Sequence, residues 1–122
     1  MYKESIKEIE SIITDYFEGI FHGDLAKLKA CFHENTTIYG DIKGVEYLKS
    51  INEYLEGVKN RQSPKDLNET FKMKIIGIDL MGKIAIAKLH VPMLGYNYYD
   101  YLSLAKVNDG WKIVNKLFTH EE

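Results

Sequence analysis

Cysteine is nearly missing from this chain: Cys31 stands alone among 122 residues, so no disulfide can form within it. A lone thiol fits a reducing compartment, and a cytoplasmic location is expected. Proline is almost as scarce, at Pro64 and Pro92, and no Pro-rich or Gly/Ser-rich tract marks a linker. No apolar run approaches the length needed to cross a bilayer. The opening MYKESIKEIE puts charges where a signal peptide needs an apolar core, so export is not expected. Neither sign of charge dominates: 16 Lys and Arg face 18 Asp and Glu, for a net charge of −2, which gives no basic face for nucleic acid. Neither nucleic acid nor membrane is therefore an expected partner. The four His and one Cys lack metal-ligand spacing, and there is no Gly-rich phosphate loop or Ser nucleophile elbow. No metal and no cofactor is expected.

What remains is an ordinary globular chain with one bias. A hydrophobic fraction of 45% excludes disorder, and residues 1–122 read as one domain. A chain of this length buries about two thirds of its unfolded surface. Nine Tyr accompany five Phe and one Trp. Tyr carries apolar area with a polar tip, which suits pocket walls and subunit interfaces. It is also simply favoured in β-rich proteins.

Ile6, Ile9, Ile13, Tyr16 and Ile20 recur at steps of three and four, with charges between them, which predicts an amphipathic helix. Gly23 is placed to end it, and Asp24 to cap a second helix with Leu25, Leu28 and Phe32 inward. A polar loop at His33-Glu34-Asn35 leads to a short strand, Thr36 to Tyr39. A third helix is expected after Gly44, burying Val45, Leu48, Ile51 or Asn52, Leu55 and Val58, before a loop at Ser63-Pro64. From Phe71 the period becomes two. Strands are expected over about 71–80, 83–91, 97–107 and 111–119, joined at Met81-Gly82, Pro92–Tyr96 and the tight-turn signal Asn108-Asp109-Gly110. Helices first and an antiparallel meander after is the pattern of an α+β fold, with helices on one sheet face.

Both faces of the early strands are apolar. Phe71, Met73 and Ile75 oppose Ile76, Ile78 and Leu80; Ile84 and Ile86 oppose Ala85, Ala87 and Leu89. Three helices cover one side only, so a homodimer through the open sheet face is expected.

With YFEGIFHGDL (Tyr16–Leu25), FHENTTIYG (Phe32–Gly40) and DYLSLAKVNDGWKIVNK (from Asp100), the chain resembles the nuclear transport factor 2-like superfamily. Within it, it is most similar to small bacterial proteins labelled "putative lumazine-binding", of the SnoaL-like kind. The resemblance implies a cone-shaped, cystatin-like α+β fold, with three N-terminal helices packed on a curved antiparallel sheet, a pocket at the open end, and frequent dimers. It implies no single activity, because the superfamily includes isomerases, cyclases, dehydratases and proteins of unknown function.

The ketosteroid isomerases of that superfamily permit a residue-level comparison. Tyr16 matches their oxyanion-binding Tyr on the first helix. Their base position reads Gly40 here, with Asp41 one residue on, and their later acid falls near Ser103. A one-residue shift along a strand points Asp41 to the other face. A base contributes about a hundred- to ten-thousand-fold, so steroid isomerisation is not expected.

Candidate site residues follow from type and position. Asp100, among Tyr96, Asn97, Tyr98 and Tyr99, is either a pocket carboxylate with a perturbed pKa or a surface charge. His90 shares a face with Lys88, Ile84 and Ile86; it pairs with Asp100 as acid and base, or is an edge histidine. Asn115, on the face of Trp111, Ile113 and Leu117, is a pocket amide or part of a structural network. Tyr39, Tyr54 and Tyr98 are candidate pocket walls. Lys112 and Lys116 are expected outward, solvated or interfacial. His33 reads as a loop residue, His22 and His120 as surface, and Cys31 as buried and inert. Three readings result: a binder of an unknown small molecule in an apolar, Tyr-lined pocket; a cofactor-free isomerase, cyclase or dehydratase with Asp100 or His90 as base and Tyr16 polarising an oxygen; or a dimeric interaction module without ligand.

Overall fold

The computed structural model describes residues 1–122. Helix α1 (Tyr2–His22) buries Ile9, Ile13, Tyr16 and Ile20 of the predicted stripe, leaves Ile6 half-buried, and adds Phe17 and Phe21 to the buried face. Gly23 ends it in the left-handed region at φ 67°, and Asp24 caps α2 (Leu25–Cys31) by accepting from the Lys27 backbone N–H at 3.1 Å. The two helices approach closely at Gly19, where an added Cβ would stand 3.0 Å from that of Leu28.

After α2 the chain enters β1 (Phe32–Ile42), which is longer than the expected Thr36–Tyr39, and Phe32 opens this strand rather than closing the helix. It turns back at Lys43-Gly44, both with positive φ, into β2 (Val45–Ser50). The expected helix from Val45 is thus a strand first: Val45 and Leu48 are exposed, and Ile42 pairs with Val45. Helix α3 covers only Ile51–Lys59 and begins at a capping box, Ser50 with Glu53. Its Ile51, Tyr54 and Val58 are buried.

Four strands follow: β3 (Lys74–Met81), β4 (Ile84–Met93), β5 (Tyr96–Val107) and β6 (Gly110–His120). Phe71 precedes β3 and packs edge-on against Phe17 and Phe21. The segment expected as a Pro92–Tyr96 loop shrinks to Leu94-Gly95, with Pro92 inside β4 but past the end of β3, where that strand has a free edge. Glu69 holds this turn, its carboxylate accepting from the Leu94 N–H at 3.0 and 3.1 Å.

The six strands form one curved, unclosed sheet in the order β2-β1-β6-β5-β4-β3. Only β1 and β6 run parallel. The helices cover its inner face, so the architecture is α+β, and α1, α3 and that face share the core with Leu89, Leu102, Leu104 and Ile113.

Two bulges decide which side chains look inward. In β3, Ile76 is the extra residue between the Ile75–Leu89 and Gly77–Lys88 pairs. Ile75, Ile78 and Leu80 therefore all pack on the core, and Ile76 alone among them is strongly exposed. In β6, Val114 is the extra residue between the Leu104–Ile113 and Ser103–Asn115 pairs. Trp111 and Ile113 are buried, as the alternation predicts; beyond Val114 the faces exchange. Lys116 turns inward, while Asn115 and Leu117 turn outward. Thr36 sits beside this bulge, its buried hydroxyl 2.9 Å from the Ile113 carbonyl and 2.7 Å from that of His33.

Candidate functional site

The inner face of the sheet, beneath α3, encloses a cavity of about 120 Å³. Ile20, Ile42, Val91, Met93 and Phe118 give it apolar walls. Tyr47, Tyr54, Tyr98, Asp100, Lys116 and Arg61 give it polar ones. Strand alternation explains most of this set: Tyr98 and Asp100 are inward on β5, Tyr47 on β2, and Tyr54 lies on the buried stripe of α3. Lys116 arrives through the Val114 bulge, and Arg61 from the turn that follows α3.

The polar groups form a chain. Tyr16, wholly buried on α1, donates its hydroxyl hydrogen to Asp100 Oδ2 at 2.6 Å. Lys116 Nζ lies 4.0 Å from the same oxygen and donates to the Tyr54 hydroxyl at 3.0 Å. Three rings surround that ammonium, with centroids at 4.4 Å (Tyr54), 5.2 Å (Tyr16) and 5.3 Å (Phe118). Such cation–π contacts stabilise a desolvated charge. Burial pushes the Asp100 carboxyl above the usual carboxylate range, with Lys116 and the Tyr16 hydroxyl pulling the other way. Burial first, and then the Asp100 charge, holds Tyr16 well above its ordinary value. Burial likewise raises Tyr98, and Tyr47 to about 12, so these phenols are neutral donors at neutral pH.

Arg61 differs from the others. Its Nη2 is buried without a hydrogen-bond partner, and none of the three ion pairs of the molecule involves it.

The residues proposed from sequence separate by face. Asp100, Tyr54 and Tyr98 line the cavity. Tyr16 stands behind its wall, its hydroxyl engaged by Asp100. His90 is on the outer face, stacked on Tyr99 at 4.6 Å and bonded to Asn97 at 2.6 Å. It is opposite Tyr99 in register, so it and Asp100 lie on opposite sides of the sheet and cannot form an acid–base pair. Asn115 also corrects the expectation: flipped outward by the bulge, it donates to the Thr37 carbonyl at 3.3 Å. Tyr39 and Asp41 likewise face outward. Gly40 faces inward, but its place is filled by the Phe118 ring, which meets Tyr47 edge-on at 5.2 Å. Lys116, expected outward, is the reverse: only 4% exposed. Arg61 and Tyr47 were not singled out at all, since a loop arginine and a lone Tyr carry no periodic signal. Cys31 is buried, its thiol pushed up to about 12 by burial, which makes it a poor nucleophile.

The outer face carries a broader, open hollow of about 710 Å³ bordered by Tyr39, Ile76, Tyr101 and Leu117, with Lys88, Asp41 and Glu121 among its charged members. No helix is long and apolar enough to cross a membrane.

Residues 4–119 match the family described as "putative lumazine-binding". The chain belongs to that family. Among solved structures it is similar to an NTF2-like protein of unknown function from Shewanella baltica OS155, 23% identical with a TM-score of 0.87, covering 100% of this chain and 98% of the other. A second NTF2-like protein of unknown function, from Methylobacillus flagellatus KT, is 22% identical with a TM-score of 0.87, over 98% and 94% of the two chains. A cystatin-like fold protein from Burkholderia xenovorans LB400 is 14% identical with a TM-score of 0.69, over 94% and 90%. These likenesses show that the family member has the NTF2-like, cystatin-like α+β fold. Among curated proteins none matches it.

Proposed function

We propose that this protein binds a small organic molecule in the Tyr-rich cavity beneath α3. The observation that carries the reading is Arg61 Nη2, a buried donor of a residue on the cavity wall with nothing to bond. A buried unpaired polar group costs about 1–3 kcal/mol, and more when charged. A ligand that accepts from Arg61 removes that cost. Apolar walls with a few converging polar groups are the usual composition of a small-molecule site, and the family description is in keeping with ligand binding as the class of activity. The test is a thermal-shift panel of lumazine, flavins and single-ring aromatics, followed by amide NMR. At least one compound should raise Tm and shift the amides of Val91, Tyr98 and Lys116. A panel with no stabiliser, or shifts confined to the outer face, would sink the reading.

Asp100 in the cavity wall favours a second reading, a cofactor-free isomerase or cyclase. A carboxyl with a raised pKa beside a ligand can move protons. Asp100→Asn should then bind ligand but turn none over, whereas equal turnover by the variant removes Asp100 from the chemistry.

For the outer face we propose a second copy of the chain. Ile76, Ile84, Ile86, Tyr101 and Leu117 are each at least 43% exposed there, and apolar side chains clustered on one exposed face mark association surfaces. Sedimentation at micromolar concentration should give twice the 14.1 kDa chain mass, and Ile86→Lys should return it to monomer. A monomeric wild type rejects the dimer and leaves the cavity reading untouched.

A further inference from the structure

We infer that the ligand of the cavity is a small aromatic carboxylate, its anionic group seated on Arg61 with Lys116 beside it and its ring against Phe118, Val91 and Met93. The inference rests on the small-molecule reading above and adds the charge and size of the ligand.

The charge follows from a count. Two cations, Arg61 and Lys116, line the cavity, against one carboxylate, Asp100. That carboxylate is already engaged: Tyr16 donates to it at 2.6 Å, and the Lys116 ammonium stands 4.0 Å away. The Arg61 charge has no anion within ion-pair distance. Arg61 Nη2 is buried with no acceptor, a polar group without its hydrogen bond, and an acceptor there removes that cost. A neutral ligand leaves that imbalance in place; an anion corrects it. Between anions, the guanidinium fork matches the two oxygens of a carboxylate. The phenol of Tyr47, held protonated by burial, adds a neutral donor on the same wall.

Size selects within the class. The cavity holds about 120 Å³, comparable to the roughly 150 Å³ engineered cavity that takes up benzene. One ring fits; a fused polycycle does not fit wholly inside. Inorganic phosphate shares the charge but would leave the apolar walls without a partner.

Calorimetry with four probes tests this: benzoate, benzamide, phenol and inorganic phosphate. Benzoate should bind most tightly, with benzamide and phosphate weaker by about tenfold or more, the value of a charge-assisted hydrogen bond. Arg61→Gln should lose benzoate affinity by about tenfold to a hundredfold, and Arg61→Lys by less, with unchanged circular dichroism. Benzamide or phenol binding as tightly as benzoate, or Arg61→Gln binding benzoate unchanged, overturns the anion seat while leaving a ring-sized pocket. Phosphate equal to benzoate overturns the aromatic part. Silence from all four probes overturns the carboxylate inference; the wider ligand panel and its NMR then decide the pocket separately. The wild-type comparison of benzoate with benzamide needs no variant, so a misfolded Arg61 substitution cannot shield the inference.

Discussion

Substituting Gly40 by Ala is the sharpest test of how the cavity is built. Gly40 lies between Tyr47 on β2 and Phe118 on β6, the residues opposite it on the two flanking strands. Because Gly40 has no side chain, those two rings meet above its backbone at 5.2 Å. A Cβ there would stand 2.6 Å from Phe118 Cδ1, and closer still to Cε1 and Cζ. Carbon atoms in contact sit about 3.5–4.0 Å apart, so the ring must retreat by about 1 Å. Its escape is restricted by Tyr98, edge-on at 5.6 Å, and by the Lys116 ammonium at 5.3 Å. Overpacking of this kind costs about 1–3 kcal/mol. At roughly 4 °C per kcal/mol for a chain of this size, Tm should fall by about 4–12 °C in a calorimetric scan. Phe118→Leu removes the ring edge, so the double variant should lose less than the two singles combined, with a coupling of about 1 kcal/mol or more. A Gly40→Ala protein that melts with the wild type, or strict additivity with Phe118→Leu, would refute the packing argument. The same geometry bears on the isomerase comparison, because an Asp at this position would collide with Phe118 before it reached a substrate.

Two further outcomes follow from the polar groups. Burial raises the folded pKa of Asp100 above its unfolded value of about 3.9, so the native state keeps its proton to higher pH than the unfolded chain does. The Asp100 contribution to stability therefore falls as pH rises from the unfolded pKa to the raised folded one. Asp100→Asn abolishes that titration, and in urea titrations across pH the variant should gain on the wild type through that interval and hold a constant difference above it; a variant that loses ground as pH rises contradicts the shift. Thr36→Val keeps the shape but strips the hydroxyl beside the Ile113 carbonyl at the bulge; it should cost about 1–3 kcal/mol by urea denaturation, and an unchanged midpoint would show that the bulge does not depend on it.

Much of the fold was legible because its signals are local. The Ile9–Ile13–Tyr16–Ile20 stripe, the Gly23-Asp24 stop and start, and the Asn108-Asp109 turn each depend on a few adjacent residues, and each stands where the pattern puts it. The misreading of Val45–Ser50 has a definite cause. Val45, Leu48, Ile51, Leu55 and Val58 mimic one helical stripe, yet Ser50-Ile51-Asn52-Glu53 is a capping-box pattern that marks the true start of α3. The site was harder to read. Tyr54 and Tyr98 stand out in the sequence only as candidate walls, and Asp100 as one of two alternatives, because the strand register and the face of α3 that decide them are set by the fold. Lys116 and Asn115 exchange faces through a bulge at Val114, where no Gly or Pro interrupts the strand, and the stabilising contact comes from Thr36, distant in sequence. Arg61 matters only because the chain folds back to bring a loop over the sheet.

The extra residue at Val114 also bears on how such a site changes over evolutionary time. Each residue from Asn115 to the end of β6 takes its side from its partner on β5, and the bulge absorbs the one extra position. Losing that one residue would leave Ile113 opposite Leu104, Asn115 opposite Ser103 and Lys116 opposite Leu102, so the Lys116 ammonium would stay inward on a strand without its bulge. The cation of the cavity is thus fixed by pairing with β5, and the bulge is where β6 carries one residue more without disturbing it. In this architecture the last strand can gain or lose a residue at its bulge while the cone keeps the same inward set of side chains.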